Sequence, residues 1–270
     1  MVIGERGSQM IPIGERINGM FTDVKKAIAS KDPAAIHQLA EDQTKLGAKY
    51  LDVNVGTAAS DQIDAMKWLV NTIQEKCDTP LALDSQKLDV IKAGLEEVKG
   101  HCLINSCQAD PEKLDIYMPL CKEHDAALVA LCMDKDGVSQ DTAKRLENAM
   151  TIIEKAMEYG VPTDRLYIDP IILPVNVDQR QPQLVFEAVT QILMMADPAP
   201  HITVGLSNIS QSTKERHLIN RTMLVMLAAH GADSAIVDVL DKDLMDAWIT
   251  ADLLMNKMIY SDSYLKAAFA

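Results

Sequence analysis

A chain of 270 residues that is 48% hydrophobic and 24% charged is able to bury one large core. Its net charge of −13, from 39 acidic and 26 basic residues, repels phosphate backbones and anionic lipid, which argues against nucleic acid and membrane surfaces as partners. Five cysteines, odd in number and without a C-x-x-C pair, argue against a disulfide framework, and with no membrane span or export leader legible a cytoplasmic location is expected.

The motif Ile3-Gly4-Glu5-Arg6 recurs as Ile13-Gly14-Glu15-Arg16, but the first copy runs into Gly-Ser. Residues 1–9 are therefore expected to be an irregular lead-in to a single domain spanning 10–270. Met10 to Gly14 reads as a short strand, and Glu15 to Gly19 as its outgoing loop. A helical pattern follows from Thr22, breaks at Asp32-Pro33 and resumes to a cap at Gly47. The second strand covers Tyr50 to Gly56. The next helix starts at Ser60 or Asp61 and carries Ile63, Met66, Leu69, Val70 and Ile73 at helical spacing.

Pro80 to Ser85 is the third strand, and Leu88 to Val98 the helix after it. Cys102 to Ser106 is the fourth strand, Pro111 to Glu123 a helix, and Ala126 to Cys132 the fifth strand. A long helix from Asp141 to Tyr159 stops at Gly160. Leu166 to Pro170 is the sixth strand, followed by a loop, Ile171 to Asn176, too apolar to lie free in solvent. A helix from Gln183 to Met195 leads to the seventh strand, Ile202 to Leu206. A helix from Ile219 to His230 precedes the eighth strand, Ser234 to Asp238, and a last helix runs from Leu244 to Met258. Eight apolar strands alternating with amphipathic helices predict an α/β protein built as a single closed (β/α)8 barrel. An open doubly wound sheet is the rival, weakened because no G-x-G-x-x-G follows the first strand.

In such a barrel every strand C-terminus opens on one face, where active sites are built. The strand exits here carry Glu15, Asn18, Asp52, Asn54, Asp84, Asn105, Asp169, Asn208 and Asp238. The carboxylates suit a hard cation, but no His lies at any exit for a transition metal, and no strand ends in a Lys for Schiff-base chemistry. Carboxylates that accept paired N–H bonds, beside amides of mixed polarity, suit a flat heterocycle instead. Asp52 and Asp238 read equally well as caps of the following helix or turn, and Asn105 as a partner of its own loop backbone. The cysteines read as core, His201 falls at the wrong end of its strand, and His217 sits in the basic cluster Lys214-Glu215-Arg216-His217, able to meet an anionic ligand tail.

The exit motifs in order are Ile13-Gly14-Glu15-Arg16-Ile17-Asn18-Gly19, Leu51-Asp52-Val53-Asn54-Val55-Gly56, Leu83-Asp84-Ser85, Ile104-Asn105-Ser106, Tyr167-Ile168-Asp169-Pro170-Ile171-Ile172-Leu173-Pro174, Gly205-Leu206-Ser207-Asn208-Ile209-Ser210-Gln211 and Ile219-Asn220-Arg221-Thr222. This set, covering nearly the whole chain from Met10, closely resembles the methyltetrahydrofolate:corrinoid methyltransferases of the pterin-binding superfamily. The resemblance implies that Asp84, Asn105 and Asp169 hold the pterin, with Asn208 near its N5 atom and Gln211 and Arg216 beside the ligand. Arg216 would meet the glutamate tail, and Asn208 and Asp84 would be the catalytic positions. It implies tetrahydrofolate or 5-methyltetrahydrofolate as substrate, a homodimer, and a corrinoid supplied by a partner protein, since this chain has no Asp-x-His-x-x-Gly motif.

Asn208 suits the chemistry as a neutral donor aimed at N5, because a methyl group leaves N5 only as that nitrogen gains positive character or a proton, and a donor whose hydrogen bond strengthens as N5 changes charge stabilises the transition state. The direction is open: methyl groups from methoxyl, methanol or methylamine donors could pass to folate, or folate could give methyl to the corrinoid. One alternative is a non-catalytic folate-binding subunit of a demethylase complex. Another is dihydropteroate synthase, but the basic residues expected after its seventh strand are replaced here by Ser207-Asn208-Ile209. A structural Ca²⁺ in so acidic a chain also stays open.

Overall fold

In the computed structural model, residues 10–138 and 140–261 are described. The expected lead-in at 1–9 lies outside them. Chain order is β1 (Ile11–Asn18), α1 (Thr22–Ser30), α2 (Pro33–Lys45), β2 (Tyr50–Asn54), α3 (Gln62–Gln74), β3 (Leu81–Asp84), α4 (Leu88–Glu97), β4 (Cys102–Gln108), α5 (Pro111–Glu123) and β5 (Ala126–Leu131). A short antiparallel hairpin of β6 (Met133–Asp134) and β7 (Gly137–Val138) follows, then α6 (Thr142–Tyr159), β8 (Leu166–Asp169), α7 (Gln181–Ile192), β9 (His201–Ile202), α8 (Arg216–Ala229), β10 (Ser234–Val237) and α9 (Lys242–Leu254).

The large sheet runs β10-β1-β2-β3-β4-β5-β8-β9, all parallel. A parallel bridge from Gly205 to Ile236 and a 2.8 Å hydrogen bond from Ile236 N to Val204 O join its two ends, so the sheet closes into the predicted (β/α)8 barrel. Aspartates begin many of the helices: Asp32, Asp61, Asp110, Asp141 and Asp241 each accept a backbone N–H of the first turn. The cap before α3 is thus Asp61. Gly160 ends α6 in the left-handed conformation that a glycine adopts without strain.

Two apolar layers follow from the strand alternation. Residues facing out of the barrel pack under the helices, among them Ile17, Leu51, Val53, Leu83, Ile104, Leu128 and Ile168. Residues facing in form a separate cluster of Ile13, Tyr50, Ala82, Leu103, Ala127, Val129 and Tyr167. Tyr50 and Tyr167 meet edge to face at 6.0 Å, His201 stacks on Tyr167 at 4.6 Å, and the Tyr50 hydroxyl bonds His101 Nε2 at 2.8 Å. This layer plugs the N-terminal end, and His201, held by Asp233 at 2.7 Å, belongs to the plug rather than to the open end as its sequence position implied.

Strand ends differ from expectation by a residue or two at several places, β2 stopping at Asn54 and β4 running on to Gln108, and two strands differ in ways that shape the mouth. β1 does not stop at Gly14 but continues through Glu15 and Arg16 to Asn18, with an irregularity in its pairing to β2 between Gly14 and Ile17. The irregularity is stabilised from outside: Gln43 of α2, fully buried, accepts the Arg16 N–H at 3.1 Å and donates to Leu39 O at 3.3 Å. Gly14 lies against that same Gln43 side chain, where a Cβ would collide with its amide oxygen. The seventh strand is shorter than predicted. Only His201–Ile202 pair with β8, and the chain turns into a 3-10 turn over Leu206–Ser210.

Gln43→Leu would keep the volume but strand the Arg16 N–H. Urea unfolding should show a loss of about 1–3 kcal/mol, the range for a buried donor left without a partner. An unchanged midpoint would rule out Gln43 as the support of this bend.

Candidate active site

The inward-facing positions one step above the apolar plug are polar on most strands that reach the C-terminal mouth, β5 being the exception with Val129 and Leu131. Tyr50 is followed two residues on by Asp52 and then Asn54, Ala82 by Asp84, Leu103 by Asn105, Tyr167 by Asp169, Ile13 by Glu15 and Ile236 by Asp238. Since side chains alternate along a strand, the same alternation that aims the plug inward aims these groups into the mouth. Strand register then sets their neighbours: Asn54 is level with Asp84, and Asp84 with Asn105.

Cross-strand hydrogen bonds tie the set together. Asn105 Nδ2 donates to Asp52 Oδ1 at 2.9 Å, both residues buried, and Asn54 Nδ2 donates to Asp84 Oδ2 at 2.5 Å. Asn54 Oδ1 in turn accepts the Gly56 N–H at 2.6 Å, where the chain leaves β2 with a φ of 56°. Asp169 is buried at the end of β8, and its Oδ1 accepts the Ile171 N–H at 2.7 Å. Ser207 Oγ, on the turn after β9, donates to Glu15 Oε2 at 3.4 Å.

Burial raises the carboxyl groups. Asp84 and Asp169 are both pushed to about 6 by loss of water, against the pull of Asn54 on the first and of the Ile171 and Gly205 N–H groups on the second. Glu15 is pushed to about 7 by burial and the charge of Asp238, against Ser207, Arg216 and Arg16. Asp52 is raised by burial first and then by Asp84, so those two carboxylates disfavour each other's ionisation. The mouth is thus a set of hydrogen-bonded carboxyl groups that hold or release protons close to neutrality.

Sequence-predicted residues divide into two groups. Asp84, Asn105 and Asp169 converge in the mouth. Asn208, Gln211 and Arg216 instead ride on the loop after β9: Asn208 is exposed in the 3-10 turn and Gln211 caps its end. Arg216 is tied to that loop, donating to Ser210 Oγ at 3.2 Å and Ser207 O at 3.3 Å. Gly205 matters to Asn208, because a Cβ there would come within 2.9 Å of its Nδ2. His217 bonds Asp241 at 2.7 Å on the rim.

Asp238 does serve its own turn, accepting the Leu240 N–H at 3.0 Å. Asp52 is no cap: it lies at the floor of the mouth, bonded to Asn105, because it shares the inward parity of Tyr50. Asn105 likewise bonds across the sheet rather than to its own loop. Left out of the sequence-derived site were Glu15, Asp52 and Asn54, although each stands at a strand exit. Counting back by twos from the exit to an inward apolar residue was the available signal. Among the described residues, no three His, Cys, Asp or Glu side chains converge as a metal-ligand set, and no helix is long and apolar enough to cross a membrane.

The fold and site define the class as a closed parallel barrel whose C-terminal mouth is lined by carboxylates and amides. The chain belongs to the pterin-binding enzyme family, whose model matches residues 18–238. It is 34% identical over 260 residues to the methylcorrinoid:tetrahydrofolate methyltransferase of Eubacterium limosum, covering 96% of both chains. It is also 32% identical over 241 residues to methionine synthase of Mycobacterium leprae, matching 84% of this chain but 20% of that much longer protein. Among solved structures, dihydropteroate synthase of Yersinia pestis superposes with a TM-score of 0.69 at 14% identity, over 93% of this chain and 94% of that one. The enzyme from Coxiella burnetii gives 0.67 at 15% identity, over 94% and 96%. At such identities these structures speak for the shared barrel alone.

The raised Glu15 carboxyl has a stability consequence. The folded state binds its proton more tightly than the unfolded chain, so ionising it opposes folding, and the penalty grows as pH rises from the ordinary value of 4.5 to about 7. Glu15→Gln should therefore unfold at a higher temperature than the wild type at pH 8, with the gain shrinking to nothing by about pH 4. Calorimetry across that range checks it, and a difference independent of pH would contradict the assignment.

Proposed function

We propose that this protein exchanges a methyl group between N5 of tetrahydrofolate and a corrinoid carried by a partner protein, in the direction from methylcorrinoid to tetrahydrofolate. The observation that carries this reading is the 34% identity along 96% of both chains to a relative with that name, joined to a mouth whose carboxylates and amides suit a pterin. The corrinoid supplies the activated methyl group and retains the electron pair of the broken bond. The N5 lone pair forms the new bond to the methyl carbon, and the N5 proton must then leave.

Each step has a residue suited to it. Asp84 and Asp169 accept N–H bonds of the pterin edge, and Asn105, anchored on Asp52, supplies an amide contact between them. Asn208 brings an amide beside N5, and its Oδ1 accepts the N5–H more strongly as the nitrogen gains positive charge. A carboxylate that titrates near neutrality is matched to taking up the released proton, and Glu15 reaches the Asn208 turn through Ser207. Arg216 and Gln211 lie along the loop where a folate tail would pass, Arg216 as the cation for its carboxylates.

The partner must approach the same face, and exposed apolar side chains stand around it: Met20 and Phe21 after β1, Val177 before α7, Leu218 in the first turn of α8 and Leu240 after β10. These suit a protein surface that closes over the mouth and excludes water. A homodimer and a cytoplasmic setting belong to the same proposal. For the dimer, exposed Met194, Met226 and Leu254 on the side of α7, α8 and α9 are the supporting feature.

Mixing the protein anaerobically with tetrahydrofolate and methylcobalamin or a methylated corrinoid protein should change the corrinoid absorbance spectrum. Folate binding without that change would favour a non-catalytic folate-binding subunit. Asn208→Ala should slow the transfer roughly 100-fold while shifting the folate Kd by less than about threefold, as loss of a transition-state hydrogen bond does. Equal losses in both would remove its assigned role. Asp84→Ala and Asp169→Ala should each weaken tetrahydrofolate binding by about 2 kcal/mol, measured by calorimetric titration.

A further inference from the structure

Arg145 lies on α6, behind the mouth, and is fully buried. It makes no ion pair among the described residues. Its Nε donates to Pro170 O at 2.8 Å, and its Nη2 donates to Gln181 Oε1 at 2.6 Å and Ile171 O at 3.3 Å, while Nη1 has no hydrogen-bond partner. A buried guanidinium that feels Asp141 and Asp169 only from beyond ion-pair distance, and that keeps an unsatisfied nitrogen, is a poor stabiliser of a fold, and an apolar side chain of similar volume commonly serves as well or better. Its retention calls for another reason.

The backbone it grips supplies one. Ile171 has a φ of 62°, a left-handed conformation that is strained for a β-branched residue. In that conformation its N–H turns back onto Asp169 Oδ1 at 2.7 Å. Arg145 holds the carbonyls on both sides of that N–H, and Gln181, fully buried on α7, holds Arg145; the same Gln181 donates to Gln140 O at 3.2 Å and Asp178 Oδ2 at 3.4 Å. The strained turn is thus fastened from α6 and α7 together, and its fastening fixes the carboxylate of Asp169.

We propose that Arg145, locked by Gln181, is a positioning residue that clamps the Pro170-Ile171 turn and so orients Asp169 toward its ligand. The inference rests on the reading of Asp169 as a tetrahydrofolate contact. It assigns to a buried cation on a helix, touching no substrate, the task of holding the geometry of the binding carboxylate.

The test compares binding with folding. Arg145→Met should fold with an unfolding temperature near that of the wild type, yet bind tetrahydrofolate at least tenfold more weakly. Adding Ile171→Gly, which relieves the left-handed strain, should restore a measurable part of that binding. Full binding by folded Arg145→Met, or a loss that Ile171→Gly does not restore, would overturn the proposal. Should Arg145→Met not fold, Gln181→Met, which leaves Arg145 in place but removes its side-chain anchor together with the Gln181 bonds to Gln140 O and Asp178, is read by the same comparison; failure of both to fold would assign Arg145 to the fold as a whole and overturn the proposal as well. If the wild type itself does not bind tetrahydrofolate, the functional reading fails. Amide exchange at Ile171 then still decides the clamp: it should quicken at least tenfold in folded Arg145→Met, and an unchanged rate would overturn it.

Discussion

Inside a parallel barrel, side chains of one parity share a small enclosed space, and whatever stands at the upper positions must be either packed or hydrogen-bonded. In this protein the lower positions are closed by Tyr50, Tyr167, Leu103 and Ala82, and the upper ones are taken by carboxylates and amides except on β5, which offers Val129 and Leu131. The bond from Asn105 to Asp52, sealed beneath the mouth, is the contact on which the remaining arrangement depends. It joins β2 to β4 across the shorter β3, brings a carboxylate into the interior with a neutral donor, and raises the floor on which a ligand would rest. Burying a carboxylate with an amide rather than a cation leaves it ready to bind a proton.

That choice explains the electrostatics of the mouth. Asp52, Asp84, Asp169 and Glu15 are all raised, each chiefly by loss of water, and no lysine stands among them. Such a site opposes folding at neutral pH and gains only when a ligand offers N–H groups to the carboxylates. A pterin offers them along one edge, and a methyl transfer at N5 needs a proton to move. Stability given up in the mouth is thus matched to the chemistry expected there.

Support for the site comes from outside the barrel. Gln43 of α2 holds the bend in β1 that carries Glu15, and Arg145 and Gln181 of α6 and α7 hold the turn that carries Asp169. Gln43 and Arg145 are polar side chains on the buried face of a helix that reach through the outer apolar layer to backbone groups at a strand end, and Gln181 holds Arg145 in that position. Helices in this fold do more than cover the sheet, because the strand ends that carry the carboxylates of the mouth have left the regular ladder and need other partners for their N–H and C=O groups.

The alternation of apolar strands and amphipathic helices was legible without coordinates, since period and composition are local. So were Asp84, Asn105 and Asp169, each directly ending a buried run. Less legible were positions whose role depends on parity across strands. Asp52 reads equally as a cap until Tyr50 and Asn105 are seen on the same inward face. Glu15 reads as a loop residue until Gln43 is seen extending β1 past it. Asn208 stood out by its motif, but its exposed place on a 3-10 turn follows from the early departure of the chain from β9. Arg145 gave a signal that is plain in retrospect: it shares the buried stripe of Ala149, Ile152 and Ala156 along α6. The sequence by itself determined the barrel and the polar character of its mouth, because both are written in local periodicity. Only the tertiary structure decided which carboxylates are buried within reach of one another's charge and which buried side chains brace them, because these depend on distances between segments far apart in the chain.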